Sequence, residues 1–298
     1  MLLRPAPDGA GDTVLSLVID GGGVRNGGDS NEPVVLPGAV QRDFTASDGQ
    51  GYRLFVGVPD APAPPSGFPL LVLLDGNALF ATALAAARLQ AGRGEVTGVG
   101  PAIVLGIGYP GERAFDVERR QRDLLPVPGG ADRFLNVIVD EILPEIAAAT
   151  PVDERRRTLI GHSFGGLFAL HALFTRPGLF AAHVASSPSI WWNERVILAT
   201  EERFRSSDGP AGGLLMSVGE DERAGVPGAP AARDARLAMA RMHENVADMA
   251  KRLRDSGRVA CHSVVFPGEN HVSVIPAMLS RAVAFALAET APQRSAAP

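Results

Sequence analysis

A serine stands between two glycines in the segment Gly161–Gly165, which reads Gly-His-Ser-Phe-Gly. The run RTLI, typical of the end of a buried strand, precedes it, and the helix-like run LFALHALF follows it. A strand that turns sharply into a helix exposes a serine hydroxyl for nucleophilic attack, and flanking glycines avoid the clashes that a Cβ would cause. The helix N-terminus favours the negative charge that develops during such an attack. The pattern predicts that Ser163 is a nucleophile; an ordinary glycine-rich turn is the alternative.

A serine nucleophile needs a general base, and six histidines could supply it. His271 follows the segment VVFPGEN, after the last predicted strand and before the last predicted helix. The base of a serine hydrolase with this chain order arrives at that point. We therefore predict His271 as the base, with a surface or helix-cap histidine as the alternative. The other five histidines are interpreted as packing, core or surface residues: His162, His171, His183, His243 and His262.

The base needs a carboxylate that orients its ring and stabilises its protonated form. The predicted strand GLLMSVG ends in three consecutive acids, Glu220, Asp221 and Glu222. We expect one of the three to face His271. Glu222 is preferred because a turn three residues after Gly219 can bring a carboxylate back over the sheet, but Glu220 and Asp221 remain competitors.

An oxyanion formed at an ester carbonyl needs two main-chain N–H donors. Phe164, the residue after the predicted nucleophile, should supply one of them. The amide of Asn77, in the loop after the run LLVLLDG, is our choice for the second. A plain strand-end turn at Asp-Gly-Asn is the alternative reading of that loop.

The elements that must position these residues alternate along the chain. Short apolar runs suited to strands buried on both faces are separated by amphipathic helical segments, which predicts a mostly parallel sheet with helices on both faces. Two segments with alternating polarity, AVQRDFTA and YRLFVGVP, predict an antiparallel hairpin at one edge. Residues 1–38 are predicted to be an N-terminal arm or edge hairpin of unassigned function, and residues 39–298 a single catalytic domain.

Composition narrows the function classes. The chain has 298 residues, 46% of them hydrophobic, and a formal net charge of -5, so a basic nucleic-acid-binding surface is not expected. No apolar run is long enough to span a bilayer, and the N-terminus lacks the pattern of a secretory signal. A single cysteine, Cys261, permits no internal disulfide. We expect a cytoplasmic protein that acts on a small-molecule ester, with no metal or organic cofactor, no nucleic acid and no membrane as partners.

Several segments between about residues 39 and 285 form one pattern: FPLLVLLDGNALF, RRQRDLLP, RTLIGHSFGGLFALHALF, SSPSIWWN, SVGEDE and FPGENHVSVIPAML. In this pattern the chain resembles the putative-esterase family of α/β hydrolases, and within it the enterobactin-type siderophore esterases. It is more distantly similar to the esterase-D enzymes and the mycolyltransferases. The resemblance implies an α/β-hydrolase fold and hydrolysis or transfer at esters through an acyl-serine.

The resemblance also implies roles for individual residues. By position, the family nucleophile falls on Ser163, its base on His271, its Gly-Glu-x-Glu turn on Gly219–Glu222 and its oxyanion donor on Asn77. Some relatives are described as relying on a Ser–His dyad, in which the acid would matter less.

Three further residues are predicted to contact substrate. The family segment Arg-x-x-Asp falls on Arg120 and Asp123, in a predicted loop, GERAFDVERRQRD, on the same side of the sheet as the serine. A guanidinium there could bind carboxylates or catecholates, whereas a solvated polar loop is the alternative. Trp191 and Trp192 could form an aromatic wall for a flat acyl group, and structural packing is an equal alternative.

Taken together, the residues and the resemblance predict a serine carboxylesterase for small esters or lactones, with catecholate siderophore lactones as one substrate class. Two alternatives remain open. The same three residues could transfer the acyl group to an alcohol, or the fold could serve as a non-catalytic binding protein.

Overall fold

The computed structural model describes residues 35–208, 211–228 and 230–288. They form an eight-stranded sheet in the order β1-β2-β4-β3-β5-β6-β7-β8. The strands are β1 Ala39–Thr45, β2 Gly51–Gly57, β3 Phe68–Leu74, β4 Ile103–Gly108, β5 Val152–His162, β6 Ala182–Ser186, β7 Gly213–Gly219 and β8 Ala260–Phe266. Residues 1–34 of the predicted N-terminal arm lie outside the described residues, so the arm stays a prediction.

The sheet has the predicted mixture of directions. Strands β3 to β8 are parallel to one another, whereas β1 and β2 pair antiparallel and β2 pairs antiparallel with β4. All seven residues of β3 are buried, as expected for a parallel strand covered on both faces. This is the α/β-hydrolase fold, and the prediction of a mostly parallel sheet with an antiparallel leading hairpin is confirmed.

Helices cover both faces of the sheet. They are α1 Gly76–Ala91, α2 Gly94–Thr97, α3 Val117–Leu124, α4 Ala131–Asn136, the π-helical segment Val137–Ile142, α5 Leu143–Ala149, α6 Phe164–Thr175, α7 Trp192–Arg195, α8 Ile197–Arg205, α9 Ala231–Ala240, α10 Met242–Ser256 and α11 Val274–Leu287. Leu71 and Leu73 of β3 pack with α1 and α11. Leu70 and Val72 face the opposite core, which contains α4, α5, α6, α8 and α10.

Two helical predictions were wrong in detail. The segment that carries Arg120 was predicted as a loop, but residues 117–124 form α3, whose N-terminus is capped by Asp116 accepting from the Arg119 amide at 3.0 Å. The segment between β7 and β8, whose residues 232–257 read as one continuous helix in the sequence, also differs. It breaks at Arg241, which adopts a left-handed φ of 46° and allows α10 to turn a buried face to the core while α9 remains at the surface.

His183 lies in β6 at the centre of the core, as predicted, but neither of its ring nitrogens has a hydrogen-bond partner. Burial lowers the pKa of His183 to about 3, because the charged ring would be desolvated. The unfolded chain binds this proton with a pKa of about 6.5. The unfolded state therefore binds more protons at acidic pH, so stability is fully present above about pH 6.5 and is lost as the pH falls below it.

We expect this residue to lower the free energy of unfolding by about 2 kcal/mol between about pH 7.5 and pH 5. His183→Leu should remove that contribution, so its urea unfolding curves should shift less with pH than those of the wild type. The exposed His262 offers a matched control, and His262→Leu should keep the wild-type pH dependence. An unchanged pH dependence in His183→Leu would contradict the assignment.

Candidate active site

Ser163 occupies the turn between the end of β5 at His162 and the start of α6 at Phe164. Its backbone has a φ of 59° and a ψ of -115°, a strained conformation for a residue with a side chain. A Cβ on Gly161 would lie 2.1 Å from the carbonyl oxygen of Gly165, so the turn cannot accept a larger residue there. The chain thus holds the serine on a tight elbow at the carboxyl end of the strand.

His271 lies in the loop between β8 and α11, at the same edge of the sheet as the elbow. Its Nε2 is 3.1 Å from Ser163 Oγ, although the two residues are 108 positions apart in the chain. Its Nδ1 is 2.6 Å from Oε2 of Glu222. The imidazole can therefore take the serine proton on one nitrogen while the carboxylate orients the other.

Glu222 is 1% exposed, and each of its two carboxylate oxygens is hydrogen-bonded. Oε1 accepts from the Ser187 hydroxyl at 2.5 Å and from the Gly219 amide at 2.7 Å, which leaves Oε2 for His271. Burial alone would raise the pKa of Glu222, but the hydrogen bonds and charge of His271, with Ser187 and Gly219, hold it below its ordinary value. Glu222 is thus kept ionised beside His271.

The other two acids of the turn point elsewhere. Glu220 accepts from the Gly268 amide at 2.9 Å, near the surface. Asp221 contributes main-chain groups, because its N–H donates to the Glu269 carbonyl and its own carbonyl accepts from Arg233. Among the three candidates the structure brings only Glu222 to His271.

The two predicted oxyanion donors are first-turn residues of helices that begin side by side. Phe164 is the first residue of α6 and Asn77 the second of α1, so neither N–H has an acceptor within its own helix. The Asn77 side chain is occupied, since Oδ1 accepts from the Tyr109 amide at 2.9 Å and Nδ2 donates to the Tyr109 carbonyl at 3.0 Å. Only the main-chain N–H of Asn77 is therefore available to a ligand.

Comparison with known proteins decides the family. The family model described as "Putative esterase" matches residues 46–263. The chain belongs to the putative-esterase family. It is 33% identical to the ferri-bacillibactin esterase BesA of Bacillus subtilis, over 91% of this chain and 96% of that protein. It is 36% identical to the siderophore triacetylfusarinine C esterase of Aspergillus fumigatus, over 85% and 94%.

A solved structure agrees with these relatives. The siderophore hydrolase EstB from Aspergillus nidulans superimposes with a TM-score of 0.79 at 33% identity, covering 86% of this chain and 98% of that one. The protein is thus an α/β-hydrolase-fold carboxylic ester hydrolase.

We expect Glu222→Gln to lower kcat of the esterase by about 10³-fold, because an amide there favours the wrong tautomer of His271. Asp221→Asn is the matched control and should leave kcat within about twofold, because its side chain does not reach the imidazole. Steady-state hydrolysis of p-nitrophenyl butyrate by both variants measures the two effects. Loss of activity in Asp221→Asn with normal activity in Glu222→Gln would identify the other acid.

Three residues that sequence reasoning did not place beside Glu222 or His271 contact one of them or the turn that carries Glu222. His243 Nε2 lies 2.8 Å from the Gly219 carbonyl oxygen, at the start of the turn that presents Glu222. Ser187 adopts a φ of 43° and directs its hydroxyl to the acid. The ring of His162 packs against that of His271, with centroids 4.6 Å apart, and burial lowers the pKa of His162 to about 3, so it stays neutral. Spacing alone could not reveal these contacts, although His162 was predicted as a packing neighbour.

Arg120 lies close to the elbow but is buried and paired. Its Nε and one terminal nitrogen donate to the two carboxylate oxygens of Asp75, at 2.7 and 3.1 Å. Only 10% of its side chain is exposed. Binding of an anionic substrate by this guanidinium stays a prediction. Asp123, its partner in the family segment, is fully buried and pairs with Arg122 and Arg133 instead.

The two tryptophans follow the strand that lies beside the elbow. The hydroxyl of Ser189, just before them, lies 3.4 Å from Ser163 Oγ. Trp191 is 40% exposed, whereas Trp192 is half-buried and packs against the core. Trp191 is therefore an exposed ring two residues after Ser189, and contact of either ring with substrate stays a prediction.

A cavity of about 220 Å³ adjoins the base and the acid; it is lined by Asp221, Glu222, Arg233, Leu237, Asn270 and His271. Within the part of the chain that the structure describes, no three His, Cys, Asp or Glu side chains are grouped to hold a metal ion. In the same residues, no helix has the length and apolarity needed to cross a membrane.

Proposed function

We propose that this esterase hydrolyses ester bonds of siderophores through an acyl-serine intermediate. Ser163 is the nucleophile, His271 the general base and acid, and Glu222 the carboxylate that orients the imidazole. The observation that carries the proposal is the unbroken hydrogen-bonded chain from Glu222 Oε2 to His271 Nδ1, 2.6 Å, and from His271 Nε2 to Ser163 Oγ, 3.1 Å.

Acylation begins when Ser163 Oγ forms a bond to the ester carbonyl carbon and its proton moves to His271 Nε2. The carbonyl oxygen becomes an oxyanion, which accepts from the main-chain amides of Phe164 and Asn77. When the tetrahedral intermediate collapses, the carbon–oxygen bond to the alcohol breaks. The departing alkoxide takes the proton from His271, and the acyl group remains on Ser163.

Deacylation repeats these steps with water. His271 accepts a proton from water as the oxygen attacks the acyl carbon, and then returns a proton to Ser163 Oγ as the acid leaves. The His271 side chain is 43% exposed, so water reaches the base directly. This exposure favours hydrolysis over transfer of the acyl group to an alcohol, which would need water to be excluded.

The substrate class comes from the relatives. The names of the two relatives described above specify esterase activity toward ferri-bacillibactin and toward triacetylfusarinine C, both of them siderophores. We extend this activity to the present chain, with cyclic triester lactones of catecholates as the substrates to test first. A cytoplasmic location is part of the proposal and rests on the sequence alone.

Two measurements test the mechanism and the substrate separately. Mixing the enzyme with p-nitrophenyl butyrate should release a burst of about one nitrophenol per active site, and acid-quenched samples should carry a butyryl group on the peptide that contains Ser163. The iron complex of a catecholate triester lactone should be cleaved, whereas the matching triamide should not. Ester turnover without an acyl adduct contradicts the acyl-serine, and turnover of simple esters without cleavage of the lactone contradicts the substrate class.

A large excess of methanol distinguishes hydrolysis from transfer. We expect free acid to remain the main product at low methanol concentration. Methyl ester as the main product under those conditions would favour an acyltransferase.

A further inference from the structure

We propose that the buried ion pair between Asp75 and Arg120 positions the two main-chain amides that receive the oxyanion. Arg120 would then be a positioning residue and not a substrate-binding one. The inference rests on the mechanism proposed above, because it assigns a task to the pair only if an oxyanion forms at the elbow.

Asp75 determines how α1 begins. It connects β3 to α1 in a left-handed conformation, with a φ of 56° and a ψ of 45°, which is unusual for a residue other than glycine. Its carbonyl oxygen accepts from the amides of Ala78 and Leu79, at 2.9 and 3.1 Å. The orientation of the Asp75 backbone therefore sets the direction of the first-turn N–H groups, including that of Asn77.

The Asp75 carboxylate also lies near the turn that carries Ser163. A Cβ built on Gly165 would lie 3.4 Å from Asp75 Oδ2 and 3.5 Å from Leu74 Cβ. Gly165 directly follows Phe164, the second oxyanion donor. The Asp75 side chain therefore lies against the start of α6 while its backbone begins α1, so it spans the two donors.

Arg120 holds this carboxylate and the elbow together. Its guanidinium forms the bidentate pair with Asp75 and lies over the ring of Phe164, with the central carbon 5.5 Å from the ring centroid. Phe115 lies 5.1 Å from the same carbon. One rigid, planar group thus contacts the residue before α1 and the first residue of α6, which ties the two helix starts to α3.

The burial of the Asp75–Arg120 pair indicates that it positions neighbouring groups. Burial raises the pKa of Asp75, and the Arg120 charge and hydrogen bonds oppose that rise. Buried ion pairs are often no more stabilising than apolar residues of similar size, so stability alone does not explain why one stands here. The position of the pair between two oxyanion donors does explain its presence. An error of about 1 Å in the placement of these donors can cost about 10²-fold in rate.

Arg120→Lys tests the role of the bidentate guanidinium, because lysine keeps the charge but cannot form the planar bidentate contact. We expect kcat for p-nitrophenyl butyrate to fall about 30-fold while KM changes less than about twofold, as for a contact made only in the transition state. The inhibition constant of a trifluoromethyl ketone, whose hemiketal oxygen mimics the oxyanion, should rise by a similar factor. The pH profile of kcat/KM should not move, since His271 and Glu222 are untouched.

A second ion pair, with a buried carboxylate and a guanidinium that is 36% exposed, provides the control. Glu201 is 1% exposed and takes a bidentate contact from Arg252, at 2.8 and 2.6 Å, between α8 and α10. Arg252→Lys should lower the thermal midpoint but leave kcat and the ketone inhibition constant unchanged. Equal losses of kcat in both variants would overturn the proposal, because they would indicate a general loss of stability.

The double variant Asp75→Asn/Arg120→Met covers the case in which Arg120→Lys fails to fold. Asparagine tolerates the left-handed conformation, methionine fills the space, and no unpaired buried charge remains. We expect this variant to fold and to show the same fall in kcat and in ketone affinity. Wild-type kcat in the double variant overturns the inference, and so does a rise in KM confined to anionic esters in Arg120→Lys. Failure of the proposed function is separate: the wild type itself would then show no acyl adduct on Ser163.

Discussion

Ser163→Ala is expected to lower kcat for ester hydrolysis by about 10⁶-fold, which leaves only the residual rate that substrate binding and the oxyanion donors support. In the proposed mechanism the hydroxyl oxygen of Ser163 forms the acyl bond. Ser189 has its own hydroxyl 3.4 Å away, but His271 Nε2 contacts Ser163 Oγ. The substitution removes one oxygen from a part-buried site, so the fold and its thermal midpoint should remain close to those of the wild type.

Hydrolysis of p-nitrophenyl butyrate and labelling by a fluorophosphonate measure this loss independently. The wild type should be labelled at one residue per chain, and Ser163→Ala should not be labelled. Ser206→Ala, at the exposed end of α8, removes a serine far from the site in the chain and should keep full activity and labelling. Residual burst kinetics or labelling in Ser163→Ala would show that another residue is the nucleophile.

His271→Gln is expected to cost nearly as much as Ser163→Ala, because the hydroxyl is a weak nucleophile without a base to take its proton. In the proposed mechanism the two residues act as one unit, so the double variant should be no slower than either single one. Glutamine can occupy part of the space of the ring and keep a polar group toward Glu222. The loss should therefore appear in kcat and not in stability.

The same assay applied to the two single variants and to the double variant checks this coupling. His262→Gln, an exposed histidine in β8, is the matched control and should behave as the wild type. If the effects of Ser163→Ala and His271→Gln multiply in the double variant, the two residues do not act in one step. A His271→Gln variant with more than about a tenth of wild-type activity would remove the imidazole from the mechanism.

Much of the fold could be predicted because apolar runs and turn residues report directly on buried strands and their ends. The run FPLLVLL is buried along its whole length in β3, and the alternating segments form the antiparallel strands β1 and β2. The helix around Arg120 was missed because six of its eight residues are polar or charged. The signal was present in Asp116, whose side chain caps the helix three residues before Arg119. The break at Arg241 has no such signal, since neither glycine nor proline marks it.

The candidate site divides in a similar way between sequence and structure. By itself the sequence determined the residue types and their order: a serine on a glycine-lined strand–helix turn, an acidic turn after a later strand and a histidine after the last. Those positions follow from hydrophobic periodicity and from the turn residues that end each strand and helix. Both are local features of the sequence. Only the tertiary structure decided that Glu222 faces His271 and that Arg120 faces Asp75. Both choices depend on side-chain direction at turns and on contacts between helices and strands distant in sequence. Residue spacing favoured Glu222 but left Glu220 and Asp221 open, and it did not indicate the contact between Arg120 and Asp75.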